Sequence, residues 1–81
     1  DDDRPRALMP KLPSMTAREL VRFFERQGFV FDHQTGSHRI LLHPDGRRAN
    51  IPMHPGDLNP FLARRILDAA GFTVDDYLRL R

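Results

Sequence analysis

Gly36-Ser37-His38-Arg39-Ile40-Leu41-Leu42-His43-Pro44-Asp45-Gly46-Arg47-Arg48-Ala49-Asn50-Ile51-Pro52-Met53-His54-Pro55-Gly56 is the stretch that decides how this chain is read. A Gly-Ser-His opening leads into an apolar run. Pro44-Asp45-Gly46 then reads as a turn in which proline presets φ, and a second short run follows. The pattern is a β-hairpin with a histidine at the mouth of one strand and arginines at its turn. From His33 to Gly56 the chain carries four histidines and three arginines against one acid, Asp45. Imidazoles that titrate near neutrality, set in a positive field, suit a phosphodiester substrate, and RNA is the leading candidate.

Upstream, Thr16-Ala17-Arg18-Glu19 is a capping box. Ala17, Leu20, Val21 and Phe24 continue from it at i, i+3, i+4 and i+7, which predicts an amphipathic helix closed by Gly28. Residues 29–34, 37–43 and 48–53 read as three strands in meander order. Pro52 cannot donate a ladder hydrogen bond, so the third strand belongs at an edge. Downstream, Asn59-Pro60 reads as N-cap and first residue of a second helix ending at Gly71. Its predicted inner face is Leu62, Ile66, Ala69 and Ala70. Thr73 then starts a short third helix that packs through Val74, Tyr77 and Leu78. The expected fold is α+β: α-β-β-β-α with a three-stranded antiparallel sheet, helices on one face, and a short extra C-terminal helix. Phe24, Phe29, Phe31 and Phe61 are all assigned to the core.

An 81-residue chain has room for one core, read here as a single domain over residues 9–81. Residues 1–8 show no apolar periodicity and read as a cloning remnant or over-called start, expected to be disordered. Of the 13 Lys and Arg residues only Lys11 is a lysine, a bias that favours bidentate phosphate contacts. With no cysteine, disulfides, thiolate catalysis and cysteine-ligated metals are excluded. No run is long and apolar enough for a membrane span or a signal peptide, so a cytoplasmic protein is expected.

Strand alternation sorts the hairpin side chains. His38, Ile40 and Leu42 share one face, and Ser37, Arg39, Leu41 and His43 the other. Ile40 and Leu42 read as core, as do Ala49, Ile51 and Met53 of the next strand, with Arg48 and Asn50 outward. His38 would then lie on the helix side, half-sheltered at the rim, where a small shift tunes an imidazole for proton transfer. The plainer reading makes it a polar strand end touching the second helix. His33 and His43 read as solvated or turn-supporting residues, and His54 as a phosphate contact or a loop hydrogen bond. Histidine spacings of five, five and eleven match no chelating pair, so no metal is expected. Adjacent Ser37 and His38 point to opposite faces and cannot form a nucleophile–base pair. Arg39, Arg47 and Arg48 form a basic group, with Arg64 and Arg65 as candidate additions from the second helix.

Taken in order, several segments resemble one family. They are Met9-Pro10-Lys11-Leu12-Pro13, Gln27-Gly28-Phe29, Gly36-Ser37-His38, His43-Pro44-Asp45-Gly46-Arg47-Arg48, Ile51-Pro52-Met53-His54 and Arg65-Ile66-Leu67-Asp68-Ala69-Ala70-Gly71-Phe72. The family is the HicA (YcfA-like) toxins of bacterial toxin–antitoxin systems. The resemblance implies a double-stranded-RNA-binding-domain-like fold, cleavage of mRNA, and neutralisation by a HicB-type antitoxin that covers the active site. It also carries the family's catalytic histidine onto His38.

The resulting expectation is a metal-independent endoribonuclease without a cofactor, in which His38 is general acid or base. Ser37, Arg39, Arg47, Arg48 and His54 would contact the RNA. Its partners would be mRNA and the antitoxin, with no membrane and no DNA binding by this chain alone. The alternative from another class is a non-catalytic RNA-binding module of the same fold.

Overall fold

The computed structural model describes residues 12–81. The segment 1–8 and the start of the Met9–Pro13 motif lie outside the described residues. The elements run α1 (Ala17–Arg26), β1 (Val30–Thr35), β2 (His38–Leu42), β3 (Arg48–Pro52), α2 (Pro60–Ala69) and α3 (Val74–Leu80). The three strands form one antiparallel sheet in the order β1-β2-β3, so the expected α-β-β-β-α frame with an extra terminal helix is present. Among the described residues no helix is long and apolar enough to cross a membrane.

Local chemistry sets the helix ends. The Thr16 hydroxyl accepts from the Glu19 N–H at 3.1 Å and the Glu19 carboxylate accepts from the Thr16 N–H at 2.9 Å. Thr73 and Asp76 repeat the box at the start of α3, and these bonds with Arg79 hold the Asp76 carboxyl below its ordinary pKa. Asn59 caps α2 by accepting from the Phe61 N–H at 2.8 Å. Both longer helices stop the same way. Gly28 (φ +97°) and Gly71 (φ +87°) take the left-handed conformation. The next residue, Phe29 or Phe72, then bonds back to the carbonyl of Phe24 or Leu67, at 3.0 and 2.9 Å. Each Gly-Phe ending therefore turns the chain and inserts a ring into the core.

The β2–β3 turn meets both of these endings. His43 places Nε2 3.1 Å from the Gln27 carbonyl at the C-cap of α1. The Arg47 guanidinium donates to the Ala70 carbonyl, the C-cap of α2, at 2.8 Å. Arg47 also sits over the rings of Phe29 and Phe72, 5.4 and 5.2 Å from their centroids. Asp45 tightens this arrangement: its carboxylate accepts from the Arg47 N–H at 3.0 Å and from Arg47 Nε at 2.8 Å. A Cβ at Gly28 would come 3.0 Å from His43 Nε2, so a side chain there would press on the His43–Gln27 contact besides straining the φ.

The core joins Leu20, Phe23 and Phe24 of α1, Leu41, Ala49 and Ile51 of the sheet, and Ala63 and Leu67 of α2. Phe23 makes edge-on or tilted contacts with Phe24, Phe72 and Tyr77 at 4.9 to 5.5 Å. The register pairs Leu41 with Ala49 and Arg39 with Ile51, so these four share the core-side face. His38, Ile40 and Leu42 pair with Pro52, Asn50 and Arg48 on the other face. This corrects the expectation that Ile40 and Leu42 face the helices. Leu41 is fully buried and Leu42 is 39% exposed, while Ile40 is buried outside the main cluster.

Three further expectations are corrected. Phe31, on edge strand β1, is 50% exposed, and Phe61 is 77% exposed. A register shift between Phe31 and His33 accompanies the exposure of the whole of β1. The inner stripe of α2 is Ala63, Ile66 and Leu67, continued by Ala70, in place of Leu62, Ile66, Ala69 and Ala70. Starting the stripe one residue later turns Phe61 to solvent.

Two outcomes follow. Leu41→Ala should cost about 2–5 kcal/mol in urea unfolding, whereas Leu42→Ala should cost under about 1 kcal/mol; the reverse order would invalidate the assignment of faces. The Arg47 N–H, helped by its guanidinium and by His43, holds the Asp45 carboxyl below its ordinary pKa. A carboxyl lowered in the folded state stabilises above its unfolded value, near ~3.9, and loses that contribution as pH falls through the folded value. Asp45→Asn should therefore lower the thermal midpoint at neutral pH, and the gap to wild type should close in that acid range. A gap independent of pH would contradict the charged clasp.

Candidate active site

His38 opens β2 just after the Gly36-Ser37 turn. The Ser37 carbonyl accepts from the Met53 N–H at 2.7 Å, which carries the β2–β3 ladder one step past both strands. This fixes the point at which His38 leaves the sheet, opposite Pro52. His38 is exposed and lies off the core-side face, not half-sheltered among the core residues. The cause is the register, which turns His38 away from Leu41, Ala49 and Ile51.

The imidazole lines a groove of about 530 Å³ between this sheet face and α2. The sheet supplies His38, Arg48, Asn50 and Pro52, and the loop after β3 supplies His54. From α2 come Leu62, Arg65, Ile66 and Ala69. The i, i+3, i+4 and i+7 spacing of these four places them along one side of that helix. The lining thus combines two imidazoles, two guanidinium groups, one amide and an apolar floor, with no carboxylate. Among the described residues neither Arg48 nor Arg65 is in an ion pair.

The other candidates are distributed differently. Ser37 is exposed in the turn beside His38. Arg39 points to the opposite face and lines a separate groove with Thr16, Ala17 and Arg18. Arg47 is engaged with Asp45, the Ala70 carbonyl and two rings. Arg48 shares the groove of His38, and His54 lines both grooves. Arg65 joins the first groove, whereas Arg64 lines neither. His33 contacts its neighbour Asp32 at 2.6 Å, and His43 belongs to the helix-capping turn. Asn50 was not singled out as a site residue. Its signal was its alternation with Arg48, two residues before it on the same face.

Chemically, the groove holds two imidazoles flanked by fixed positive charge. Arg48 and Arg65 can receive an anionic group bidentately. The Asn50 amide offers further hydrogen bonds, and the Leu62–Ile66 floor suits the flat face of a base or ribose. Among the described residues no three His, Asp or Glu side chains come together so as to hold a metal ion.

Comparison with curated proteins gives no match. A family model described as the HicA toxin of bacterial toxin–antitoxin matches residues 17–72. That span begins with α1, ends just past α2 and contains every residue lining the His38 groove. The chain therefore belongs to the HicA toxin family, and as such is the toxin of a toxin–antitoxin pair with a cognate antitoxin.

Proposed function

We propose that this toxin acts by cutting mRNA as a metal-independent endoribonuclease, with His38 transferring a proton at the scissile phosphate. The observation that carries the reading is the groove itself, where an exposed imidazole lies among Arg48, Arg65 and Asn50 with no carboxylate in the lining. In the proposed reaction the ribose 2′-hydroxyl gives up its proton and its oxygen attacks the adjacent phosphorus. The bond from phosphorus to the 5′-oxygen breaks, and that oxygen takes up a proton. The products are a 2′,3′-cyclic phosphate and a 5′-hydroxyl, so no water or redox partner is consumed.

Two proton transfers are needed, and the groove contains two imidazoles. His38 takes one role and His54, the other imidazole of the lining, is assigned the second. Arg48 and Arg65 offset the charge that builds on the non-bridging oxygens. The cognate antitoxin is assigned as HicB-type, presenting an acidic surface that covers this groove and competes with RNA for the same cations.

Purified protein should cleave a long RNA in EDTA, leaving 2′,3′-cyclic ends. His38→Ala should slow cleavage by roughly 10²–10⁴-fold, the usual worth of one acid–base group. Its thermal midpoint should stay near wild type, because the side chain is exposed and no hydrogen bond to it is present among the described residues. Undiminished cleavage by the variant would remove His38 from the mechanism. Wild-type protein that binds RNA without cutting it would favour the non-catalytic RNA-binding module.

A further inference from the structure

We infer a second site for an RNA backbone phosphate on the other side of the β2–β3 ribbon, around Arg39, reached by the substrate strand as it passes His54. This rests on the RNA-cleaving reading and extends it from one phosphate to the path of the strand.

Arg39 follows His38 directly, and strand alternation sends its side chain to the opposite face. There it lines a groove of about 490 Å³ with Arg18 of α1, Met53 and His54. This lining also lacks a carboxylate. Glu19 is engaged in the cap of α1, and Asp57 pairs through its backbone with Thr16; neither lines the groove.

The Arg39 side chain is ordered, yet among the described residues it has no counter-ion. Its guanidinium carbon lies 5.8 Å from the Phe31 ring centroid, so stacking orders it. Its Nε is shielded from solvent without a hydrogen-bond partner. Among the described residues no carboxylate pairs with it. Because Nε is shielded, an incoming phosphodiester oxygen would meet the terminal amino groups of this guanidinium, whose charge has no carboxylate partner among the described residues. Phe31, an exposed ring that serves no core purpose, acquires a role as the platform beneath it.

His54 connects the two grooves. It follows the end of β3 and lines both, so they meet around the strand end and do not form unrelated pockets. A single strand with its scissile phosphate at His38, Arg48 and Arg65 can place a neighbouring phosphate against Arg39 and Arg18. The RNA would thus be gripped from both faces of the ribbon, which favours a flexible single strand over a rigid duplex at this point.

The test measures affinity of the full chain for non-cleavable 2′-O-methyl oligoribonucleotides, from trinucleotide to octanucleotide, against salt concentration. The variants are Arg39→Gln, Arg18→Gln and Arg48→Gln. Arg79→Gln is the control for net charge, since Arg79 lies on α3, pairs with Asp76 and lines neither groove. Arg39→Gln and Arg18→Gln should each lower the log–log salt slope of the octanucleotide by roughly 0.7, the value for one lost single-strand phosphate contact. Their effect should vanish at the shortest lengths that bind, whereas Arg48→Gln should weaken every length. If only Arg48→Gln lowers the slope, the second site is wrong and the RNA reading stands. If none of the three differs from the control, the RNA reading itself fails. Should Arg39→Gln not fold, Arg18→Gln, on the exposed side of α1, decides alone.

Discussion

Two helix C-termini end against one β-turn, and the rest of the structure is arranged around that meeting. The last carbonyls of a helix lack intrahelical partners and carry partial negative charge. Here His43 serves the Gln27 carbonyl and Arg47 serves the Ala70 carbonyl, from positions four residues apart. Asp45 between them fixes the turn through Arg47. The Gly28-Phe29 and Gly71-Phe72 endings put their rings beneath the same arginine. A short segment therefore holds α1, α2 and the β2–β3 hairpin in mutual register. That matters in a domain with few core residues to spare.

The groove that holds His38 is a consequence of that clamp. With α2 anchored at Ala70, its outer stripe of Leu62, Arg65, Ile66 and Ala69 faces the sheet side that carries His38, Arg48 and Asn50. The inner stripe of Ala63, Ile66 and Leu67 stays in the core. Ile66 belongs to both, so the helix cannot rotate to improve one set of contacts without losing the other. The groove is thus held open by packing, and its cations lack ion-pair partners among the described residues. Family membership makes the protein a toxin, and the groove sets uncommitted charge beside a solvent-facing imidazole.

Much of the frame was legible because its signals are local. The Thr16–Glu19 box, the Asn59-Pro60 start and the Pro44-Asp45-Gly46 turn each act within a few residues, and each appears where the pattern places it. The sheet faces were not legible. Ile40-Leu41-Leu42 is apolar throughout, so alternation cannot say which residues point inward. Only pairing with Ala49 and Ile51 selects Leu41 and sends His38 to the opposite side. Alternation groups His38 with Ile40 and Leu42, as the register does, but the side on which they lie depends on the partner strand. Arg47 and Arg48 present the same difficulty in sharper form. They are adjacent and chemically identical, and their environments differ because Phe29, Ala70 and Phe72, distant in sequence, gather around one of them. Arg65 was within reach as a helix-borne cation near the site, whereas its arrival in the His38 groove depends on how α2 packs.

The division of labour between those two arginines tests the account most directly. Thermal midpoint and RNA cleavage per folded molecule should be measured side by side for Arg47→Met and Arg48→Met. The account predicts a clear fall in midpoint for Arg47→Met, with cleavage by the folded fraction largely kept. It predicts the converse for Arg48→Met: a midpoint close to wild type and sharply reduced cleavage. An Arg47→Met protein that melts like wild type yet no longer cuts RNA would contradict the account, placing Arg47 in the chemistry and removing the turn from its role in holding the helices.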